Sequence, residues 1–488
     1  MLVVGAGLSG IGVACRLARR GGTRFVVLER RQAIGGTWDL FRYPGVRSDS
    51  DMYSFGYAFR PWHGTDVLAS GESIRQYVQD TARAFGVDEH VRFGRRVVAA
   101  RWAGADARWR VEVVDEATGA KQEWVCRFLV GATGYYDYDG GHRPEFPGEA
   151  DYTGRVVHPQ QWPADLDHTG KRVVVIGSGA TAITLVPAMA AQAAHVTMLQ
   201  RSPTYVMPVP AVDPVSRGLA RVGVPARTVH RLGRSRNVLL QRALYDLSKK
   251  APAVARALLL AGVRLQLRGR VDLRHFTPSY APWDERLCVV PSGDLFAVLR
   301  QGRASVVTDV IDTFTPTGVR LASGQEIEAD VVVTATGLRV QMLGGARLEV
   351  DGEPVRVPER VLYKGMLLDG VPNALVVLGY TNASWTLKAD LVSDYLCRLL
   401  DHMDEHGHAQ VVAVADDADR SDVSALGDAL RSGYVQRADG VMPRQGTRAP
   451  WRVLDHYYRD RRALRRDPVA DDALRFGAAL DDAVRATA

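Results

Sequence analysis

Cysteine is scarce and scattered in this chain of 488 residues. The four cysteines are Cys15, Cys126, Cys288 and Cys397, and no two of them form a Cys-x-x-Cys pair. This spacing excludes a disulfide framework, a structural zinc site built on paired cysteines and a local dithiol redox centre. We therefore predict four reduced and mostly buried thiols.

Long hydrophobic runs and a secretion signal are also missing. No stretch approaches the roughly 18 consecutive apolar residues that span a bilayer, and the N-terminus has no basic-then-apolar leader. These absences predict a cytoplasmic protein. The first glycine motif follows residues 1–4 directly, whereas a strand there usually has about five or six residues. Either a few native residues are missing or the start is misassigned.

Acidic residues are nearly absent from one segment of the chain. Residues 217–270, the basic segment, contain thirteen Lys or Arg and a single acid, Asp246, which gives +12 and leaves −5 for the rest of the +7 chain. Interleaved leucines predict basic amphipathic helices. Two interpretations stay open, a solvated face beside an anionic cofactor and a peripheral membrane contact. No nucleic-acid recognition motif accompanies the charge.

The pattern of short β-branched runs and helical stretches predicts an α/β fold. A strand–glycine turn–helix–strand unit begins at residue 2 and a second one at residue 172. We predict two Rossmann-like dinucleotide-binding domains, the second inserted into the first. The first domain takes residues 1–150 and 336–488, and the second takes 151–335 with a helical insertion at about 206–280.

The first glycine motif contains Gly5, Gly7 and Gly10 directly after an apolar strand. Glycines at these positions permit a tight turn, close approach of the backbone to a pyrophosphate, and helix–strand packing. Glu29 lies 24 positions after Gly5, at the end of the next strand, where a carboxylate accepts both ribose hydroxyls. This site is predicted to bind FAD or NAD.

The second glycine motif has Gly177 and Gly179, with Ala182 in place of the third glycine. At the same offset of 24 stands Arg201 rather than an acid. A cation there suits a 2′-phosphate, which a carboxylate would repel. The contrast favours FAD at the first site and NADPH at the second. The alternative for Arg201 is a solvated residue at a strand end.

Two nucleotide sites fit a disulfide reductase, an NADH oxidase or an oxygenase, and a stretch between the sites separates these classes. It contains Tyr152, Gly154, His158, Trp162 and Pro163. The stretch resembles the Phe-x-Gly-xxx-His-xxx-Trp-Pro/Asp fingerprint of the type I Baeyer–Villiger monooxygenases, with Tyr in place of Phe. The related flavin-containing monooxygenases usually end it with Tyr or Phe. In the family the histidine is thought to act in domain movement, and a packed linker histidine is the alternative for His158.

The resemblance extends over nearly the whole chain and is strongest to the mycobacterial ethionamide-activating branch of the family. Matching stretches begin at residues 35, 42, 134, 200 and 379. The resemblance implies an NADPH-dependent flavoprotein that converts ketones to esters or lactones with O₂ through a peroxyflavin. Oxidation of sulfides, thioamides or amines and uncoupled NADPH oxidation are the alternatives. The resemblance also implies four further cofactor-binding residues, Gly36, Trp38, Tyr53 and Ser202.

The same resemblance implies two catalytic residues. The family places an arginine beside the flavin, where a fixed cation stabilises an anionic adduct, and we assign it to Arg286. The family's nearby aspartate corresponds to Asp49. As alternatives, Arg286 pairs with Asp284 or Glu285, and Asp51 exchanges roles with Asp49.

Two further clusters have ordinary alternatives. Lys388 and Asp390 either line the flavin's edge or start a helix. The three histidines 402, 406 and 408 have acids among them and follow a helical stretch, which is typical of an exposed helix end. We predict no metal site.

Overall fold

Two parallel five-stranded sheets organise the fold of the computed structural model, which describes residues 1–285, 287–426 and 433–478. The first sheet is built from valine- and leucine-rich strands that are buried on both faces, as parallel strands usually are. Its strand order is Ala374–Val376, Leu129–Gly131, Leu2–Val4, Val26–Leu28 and Val91–Arg92.

The second sheet is also wholly parallel and repeats this plan. Its strand order is Ala304–Thr308, His195–Gln200, Arg172–Ile176, Val331–Thr334 and Arg155–Val157. All of its strands lie between residues 155 and 334, whereas the first sheet takes strands from both sides of that interval. The predicted fold class, two Rossmann-like units with one inserted in the other, is confirmed.

Each unit places a helix directly after its glycine turn. Leu8–Arg20 follows the strand Leu2–Val4, and Ala180–Met189 follows Arg172–Ile176. Both helices begin with a glycine N-cap in an extended conformation and have no side-chain cap. The backbone N–H groups of their first turns are therefore left for a ligand.

Smaller sheets complete the two units. A mixed five-stranded sheet has the order Glu353–Val355, Arg347–Val350, Arg95–Ala103, Arg108–Asp115 and Lys121–Cys126. A three-stranded antiparallel sheet contains Ile311–Thr315, Gly318–Leu321 and Glu326–Glu328. The two-stranded pairs are Val206–Val209 with Cys288–Pro291, Tyr136–Gly141 with Leu338–Val340, Leu362–Tyr363 with Leu367–Leu368, and His408–Ala413 with Leu474–Ala478.

The remaining α-helices belong to both units. They are Thr37–Leu40, Met52–Phe55, Gly71–Ala84, Pro214–Arg221, Ala226–Lys250, Pro252–Leu267, Asp294–Arg300, Trp385–Glu405, Gly433–Arg437 and Tyr457–Arg465. Three of them, between residues 214 and 267, form the helical insertion, so the basic segment is helical as predicted. Among the described residues, no helix is both long and apolar enough to cross a membrane.

Candidate active site between the two nucleotide-binding units

A cavity of about 450 Å³ is lined by residues of both glycine turns. Several side chains and backbones predicted from the sequence meet there. They are Gly5, Gly7, Glu29, Gly36, Trp38, Asp49 and Gly179. Although 172 positions separate Gly7 from Gly179, a single continuous space joins the two turns, so ligands bound at the two turns could meet.

The first glycine turn is too tight for side chains. A Cβ atom on Gly10 would lie 1.8 Å from the carbonyl oxygen of Gly5, and one on Gly36 would lie 2.7 Å from the Cα of Gly7. Gly5 itself has a φ of +103°, a conformation that favours glycine. The turn therefore leaves bare backbone facing the cavity, a cradle that fits the pyrophosphate of a dinucleotide such as FAD.

Glu29 is buried against the same turn. Its carboxylate accepts hydrogen bonds from the backbone N–H of Ala6 at 2.7 Å and of Arg31 at 2.8 Å. Burial raises the pKa of this carboxyl, and the two backbone hydrogen bonds oppose that effect. The contacts orient the carboxylate at the cavity wall, the position expected for a ligand of ribose hydroxyls.

The second glycine turn differs from the first in one respect. A Cβ atom on Gly177, which has a φ of +136°, would lie 2.4 Å from the carbonyl oxygen of Ala335. Around Gly179 a Cβ would meet no heavy atom within 4 Å. Gly177 therefore serves the turn itself, whereas Gly179 faces the open space of the cavity. Ala182 is fully buried in the following helix, where a small residue permits close packing.

Arg201 and Ser202 follow the end of strand His195–Gln200 and are both exposed. They are not among the residues that line the cavity. Arg201 lowers the pKa of Glu285, a cavity residue whose carboxyl pKa is raised overall by burial. The guanidinium group therefore adds positive charge next to the cavity without filling it.

The structure separates the two candidate aspartates. Asp49 lines the cavity. Asp51 is buried and caps the helix Met52–Phe55 by accepting a hydrogen bond from the Ser54 N–H at 3.0 Å. It also accepts hydrogen bonds from the side-chain amides of the insertion helix, Asn237 at 2.7 Å and Gln241 at 2.6 Å. Of the two, only Asp49 is placed to face a ligand in this cavity.

Tyr53 lies apart from the other residues that the resemblance suggested. It points towards the helical insertion, where its ring packs against that of His230 at 5.7 Å and against Gly233. It lines a second cavity of about 680 Å³ together with Trp62 and His63, and it is not part of the lining of the first. A direct contact of Tyr53 with a cofactor in the first cavity does not fit this position.

Arg286 lies outside the described residues. Its neighbours in the chain, Glu285 and Leu287, both line the cavity. Asp284 forms an ion pair with Lys249 at 3.1 Å and so has a partner of its own.

Tyr152 of the signature stretch uses its hydroxyl group in a buried contact. The hydroxyl donates a hydrogen bond to the carbonyl oxygen of Ala329 at 2.9 Å, and the ring packs edge-on against Phe314. A Cβ on Gly154 would lie 2.3 Å from that hydroxyl oxygen, so glycine makes room for the ring. Burial raises the pKa of the Tyr152 phenol to about 12. These residues therefore hold one end of the stretch in the second unit.

His158 lies where the chain crosses between the units. Its Nδ1 accepts a hydrogen bond from the Gln160 N–H, and its Nε2 lies 3.2 Å from the carbonyl oxygen of Gly337. This pairing requires a neutral ring with the proton on Nε2. Burial lowers the His158 pKa, which agrees with a neutral ring. The ring also fills the space beside Gly141, where a Cβ would lie 1.9 Å from it.

The end of the signature stretch is structural. Trp162 packs against the core of the second unit, and the carbonyl oxygen of Pro163 accepts a hydrogen bond from the Leu166 N–H. Neither residue lines the cavity. The stretch therefore acts at the crossing between the units and makes no contact with the cavity through these side chains.

Some cavity residues were not predicted from the sequence. Trp385 lines the cavity and donates a hydrogen bond from its indole N–H to the Ser9 hydroxyl at 2.7 Å. Glu285 and the partly exposed Tyr138 also contribute to the lining. Tyr135 lines the cavity as well. Trp385 and Tyr135 belong to stretches that match the family, and this match could have predicted their place in the site.

The remaining sequence candidates have structural roles. Lys388 is buried and pairs with Asp460 at 2.9 Å, and Asp390 is buried and pairs with Arg16 at 3.0 Å. Neither lines the cavity. The three histidines stand at and after the end of helix Trp385–Glu405, and the described residues contain no group of three or more side chains placed to hold a metal. All four cysteines are free, as predicted.

The fold and the shared cavity define a protein with two dinucleotide-binding units that open into one space. The model of the pyridine nucleotide-disulphide oxidoreductase family matches residues 2–216. The chain is 54% identical to MymA of Mycobacterium tuberculosis, named as a FAD-containing monooxygenase, over 99% of this chain and 98% of that protein.

Two further relatives match over similar lengths. AlmA of Acinetobacter baylyi, named as a FAD-binding monooxygenase, is 49% identical over 100% of this chain and 98% of its own. EthA of M. tuberculosis, named as a FAD-containing monooxygenase, is 47% identical over 98% of this chain and 97% of its own. The chain belongs to this family of FAD-containing monooxygenases. The resemblance found in the sequence is confirmed, and so is the prediction of a flavoprotein monooxygenase.

Solved structures share the fold. A steroid monooxygenase bound to NADP has a TM-score of 0.76 at 24% identity and covers 98% of this chain and 99% of its own. A cyclohexanone monooxygenase bound to ε-caprolactone has a TM-score of 0.73 at 20% identity, with coverage of 97% and 99%. At these identities the likeness establishes the common architecture.

Proposed function

We propose that this monooxygenase uses FAD and NADPH to convert ketones to esters or lactones with O₂, a Baeyer–Villiger oxidation. The observation that carries the proposal is the single cavity that joins both glycine turns and contains Asp49. The steroid monooxygenase of the same fold binds NADP, and the cyclohexanone monooxygenase binds a lactone. Both observations support the proposal by analogy of fold.

We assign the flavin to residues 1–150 and 336–488 and the nicotinamide cofactor to residues 151–335. Bare backbone at Gly7 and Gly36 and the oriented carboxylate of Glu29 fit the pyrophosphate and ribose of FAD. When bound and reduced, the flavin supplies the activation of O₂. The protein's part is to hold the reactants together and to set the charge around them.

Arg201 supports NADPH over NADH, because an exposed guanidinium group at the end of the strand that pairs with Arg172–Ile176 matches a 2′-phosphate. We expect Arg201→Ala to weaken the NADPH affinity by about tenfold or more, the typical loss of one charged hydrogen bond, and to leave the NADH affinity unchanged. Steady-state kinetics with both cofactors measures the two effects. An equal loss for both would contradict the role given to Arg201.

Arg286 and Asp49 are the catalytic residues that we propose. A fixed guanidinium group stabilises negative charge that develops on the reacting oxygen atoms, and a nearby carboxylate orients that group. Arg286 stands between two cavity residues in the chain, and Asp49 lines the cavity itself. Attack on a carbonyl carbon requires such an anionic oxygen, so this charge favours ketones as substrates.

We expect Arg286→Ala to keep flavin reduction by NADPH and to form no ester. Stopped-flow absorbance follows the reduction, and chromatography of the products follows the ester. Arg274→Ala, which changes an exposed arginine on the same unit, serves as the control. A normal ester yield from Arg286→Ala would exclude this residue as the catalytic cation.

A substrate panel tests the reaction class. Linear, cyclic and aryl ketones are compared with an aryl sulfide at several pH values, with NADPH consumption and products measured together. Baeyer–Villiger activity predicts esters or lactones in amounts that match the NADPH consumed. Sulfoxide as the sole product would favour S-oxidation, and hydrogen peroxide without organic product would indicate an NADPH oxidase.

A further inference from the structure

The last helix of the insertion exposes apolar side chains on one face. In Pro252–Leu267, the side chains of Val254, Leu258 and Leu265 are 52%, 61% and 77% exposed. Their spacing of four and seven residues places them along one stripe of the helix. The opposite face is packed into the second unit through residues such as Val263. A helix that is apolar on both faces is typical of one that is covered on both sides.

The preceding helix shows the same arrangement. In Ala226–Lys250, Leu232, Leu239 and Leu240 are about half exposed, at spacings of seven and eight residues that share one face. Eight of the fourteen large exposed hydrophobic residues in the described chain lie within the helical insertion. The exposure is therefore concentrated on this part of the surface and is not the ordinary scatter of single apolar residues.

The same segment of the chain also contains unpaired positive charge. Some cations of the insertion have partners, such as Arg236 with Asp213 and Lys249 with Asp284. Eight others are exposed and form no ion pair with any described residue. They are Arg217, Arg221, Arg227, Arg231, Lys250, Arg264, Arg268 and Arg270. Leucines flanked by unneutralised arginines are the composition of helices that lie in the interface of an anionic membrane.

We propose that the outer face of the insertion docks on an anionic lipid bilayer. The outer face consists of Leu232, Leu239, Leu240, Val254, Leu258 and Leu265 with the eight unpaired cations. A lipid surface supplies negative charge and an apolar layer together, and both are needed here. A second copy of this chain would place the same positive charges against each other, which costs binding energy.

The inner face of helix Ala226–Lys250 contacts residues that neighbour the cavity lining in the chain. Asn237 and Gln241 donate hydrogen bonds to Asp51, which stands two positions from the cavity residue Asp49. Arg234 donates to the backbone carbonyl oxygen of Gly56 at 2.6 Å. A helix is about 10–12 Å across with its side chains. Docking would thus hold Asp51, two positions from the cavity residue Asp49, about one helix diameter from the lipid.

Vesicle flotation of the FAD-loaded, full-length protein tests the docking. The vesicles are phosphatidylcholine with or without phosphatidylglycerol, at low salt and at about 1 M salt, where the screening length is ~3 Å. We expect binding only with phosphatidylglycerol at low salt. The triple variant Leu239→Glu, Leu258→Glu, Leu265→Glu should reduce the bound fraction by about tenfold or more.

The matched control is Val125→Glu with Val310→Glu, which adds charge at exposed valines outside the insertion. Both variants should oxidise NADPH at the wild-type rate with a water-soluble ketone, so docking and the proposed function can fail separately. Wild-type protein that does not float with phosphatidylglycerol vesicles would overturn the proposal. So would a triple variant that floats equally well, or a dimer in sedimentation that the triple variant abolishes.

Discussion

Asp49 and Asp51 are two positions apart and have different surroundings. The Asp49 side chain is partly exposed at the cavity wall, whereas the Asp51 carboxylate is buried and accepts hydrogen bonds from Ser54, Asn237 and Gln241. A buried carboxylate that accepts this many hydrogen bonds from the protein stabilises the fold. The difference between these neighbours separates a candidate catalytic residue from a structural one.

This contrast predicts two separable phenotypes. Asp49→Ala should lower turnover by about tenfold or more and lower the free energy of unfolding by less than Asp51→Ala does. Asp51→Ala should lower the free energy of unfolding by about 2 kcal/mol, since it removes a helix cap and leaves two amide donors without an acceptor. Urea unfolding and steady-state kinetics on both variants measure this. Equal losses of stability would contradict the assignment.

Asp455 gives the protein a pH dependence that is independent of catalysis. Its carboxylate accepts a hydrogen bond from the Thr381 hydroxyl at 2.7 Å, and burial raises the pKa of this carboxyl to about 6. A raised pKa means that the folded protein holds the proton more strongly than the unfolded chain does. The resulting stability is complete below about pH 4 and is lost as the pH rises through about 6.

We therefore expect Asp455→Asn to match the wild type near pH 4 and to exceed its stability above pH 6 by about 3 kcal/mol. Thermal unfolding across this pH range measures the difference. Asp272→Asn, which changes an exposed aspartate, serves as the control. A constant difference between wild type and Asp455→Asn at every pH would show that Asp455 does not titrate in this way.

The two glycines of the second glycine turn have different roles. Gly177 has no room for a side chain because the carbonyl oxygen of Ala335 lies against it, whereas Gly179 borders open space. We predict that Gly177→Ala destabilises the fold by more than 1 kcal/mol. Gly179→Ala should leave thermal unfolding unchanged and raise the KM for NADPH, since the added methyl group occupies ligand space.

Circular dichroism and NADPH kinetics on this pair separate the two roles. The Gly179→Ala variant should unfold with the wild-type midpoint. A large loss of stability in this variant would mean that the open space is filled in the folded protein and does not serve a ligand.

Local patterns determined what could be predicted from the sequence. The strand, glycine turn, helix and terminal acid of the first unit all lie within 29 residues, and the periodicity and the glycines predict them directly. The second unit repeats this pattern from residue 172. The insertion of one unit in the other also followed from the order of these patterns along the chain.

Contacts between distant parts of the chain could not be predicted in this way. The hydrogen bond from Trp385 to Ser9 joins residues 376 positions apart. The side-chain amides that donate to Asp51 lie 186 and 190 positions away from it in the chain. Tyr53 was assigned to a cofactor because its neighbours match the family. The short helix that contains it points its ring at the insertion, a direction that no sequence motif encodes.

At the level of the whole molecule, the insertion connects three surfaces. Its inner face contacts the first unit through Arg234 and Asn237, its last helix packs on the second unit, and its outer face is apolar and basic. His158 adds a neutral, buried contact at the crossing between the units, next to Gly337 and Gly141. Relative movement of the two units would have to rearrange both of these contacts.

Transfer of one oxygen atom from O₂ to a ketone is the most direct test of the proposed function. Purified enzyme is incubated with NADPH, a cyclic ketone and ¹⁸O₂, and the product is analysed by mass spectrometry together with the NADPH consumed. The proposed function predicts a lactone with one ¹⁸O atom, formed in the same amount as the NADPH oxidised. Consumption of NADPH with unlabelled lactone, or with no lactone from any ketone of the panel, would contradict it.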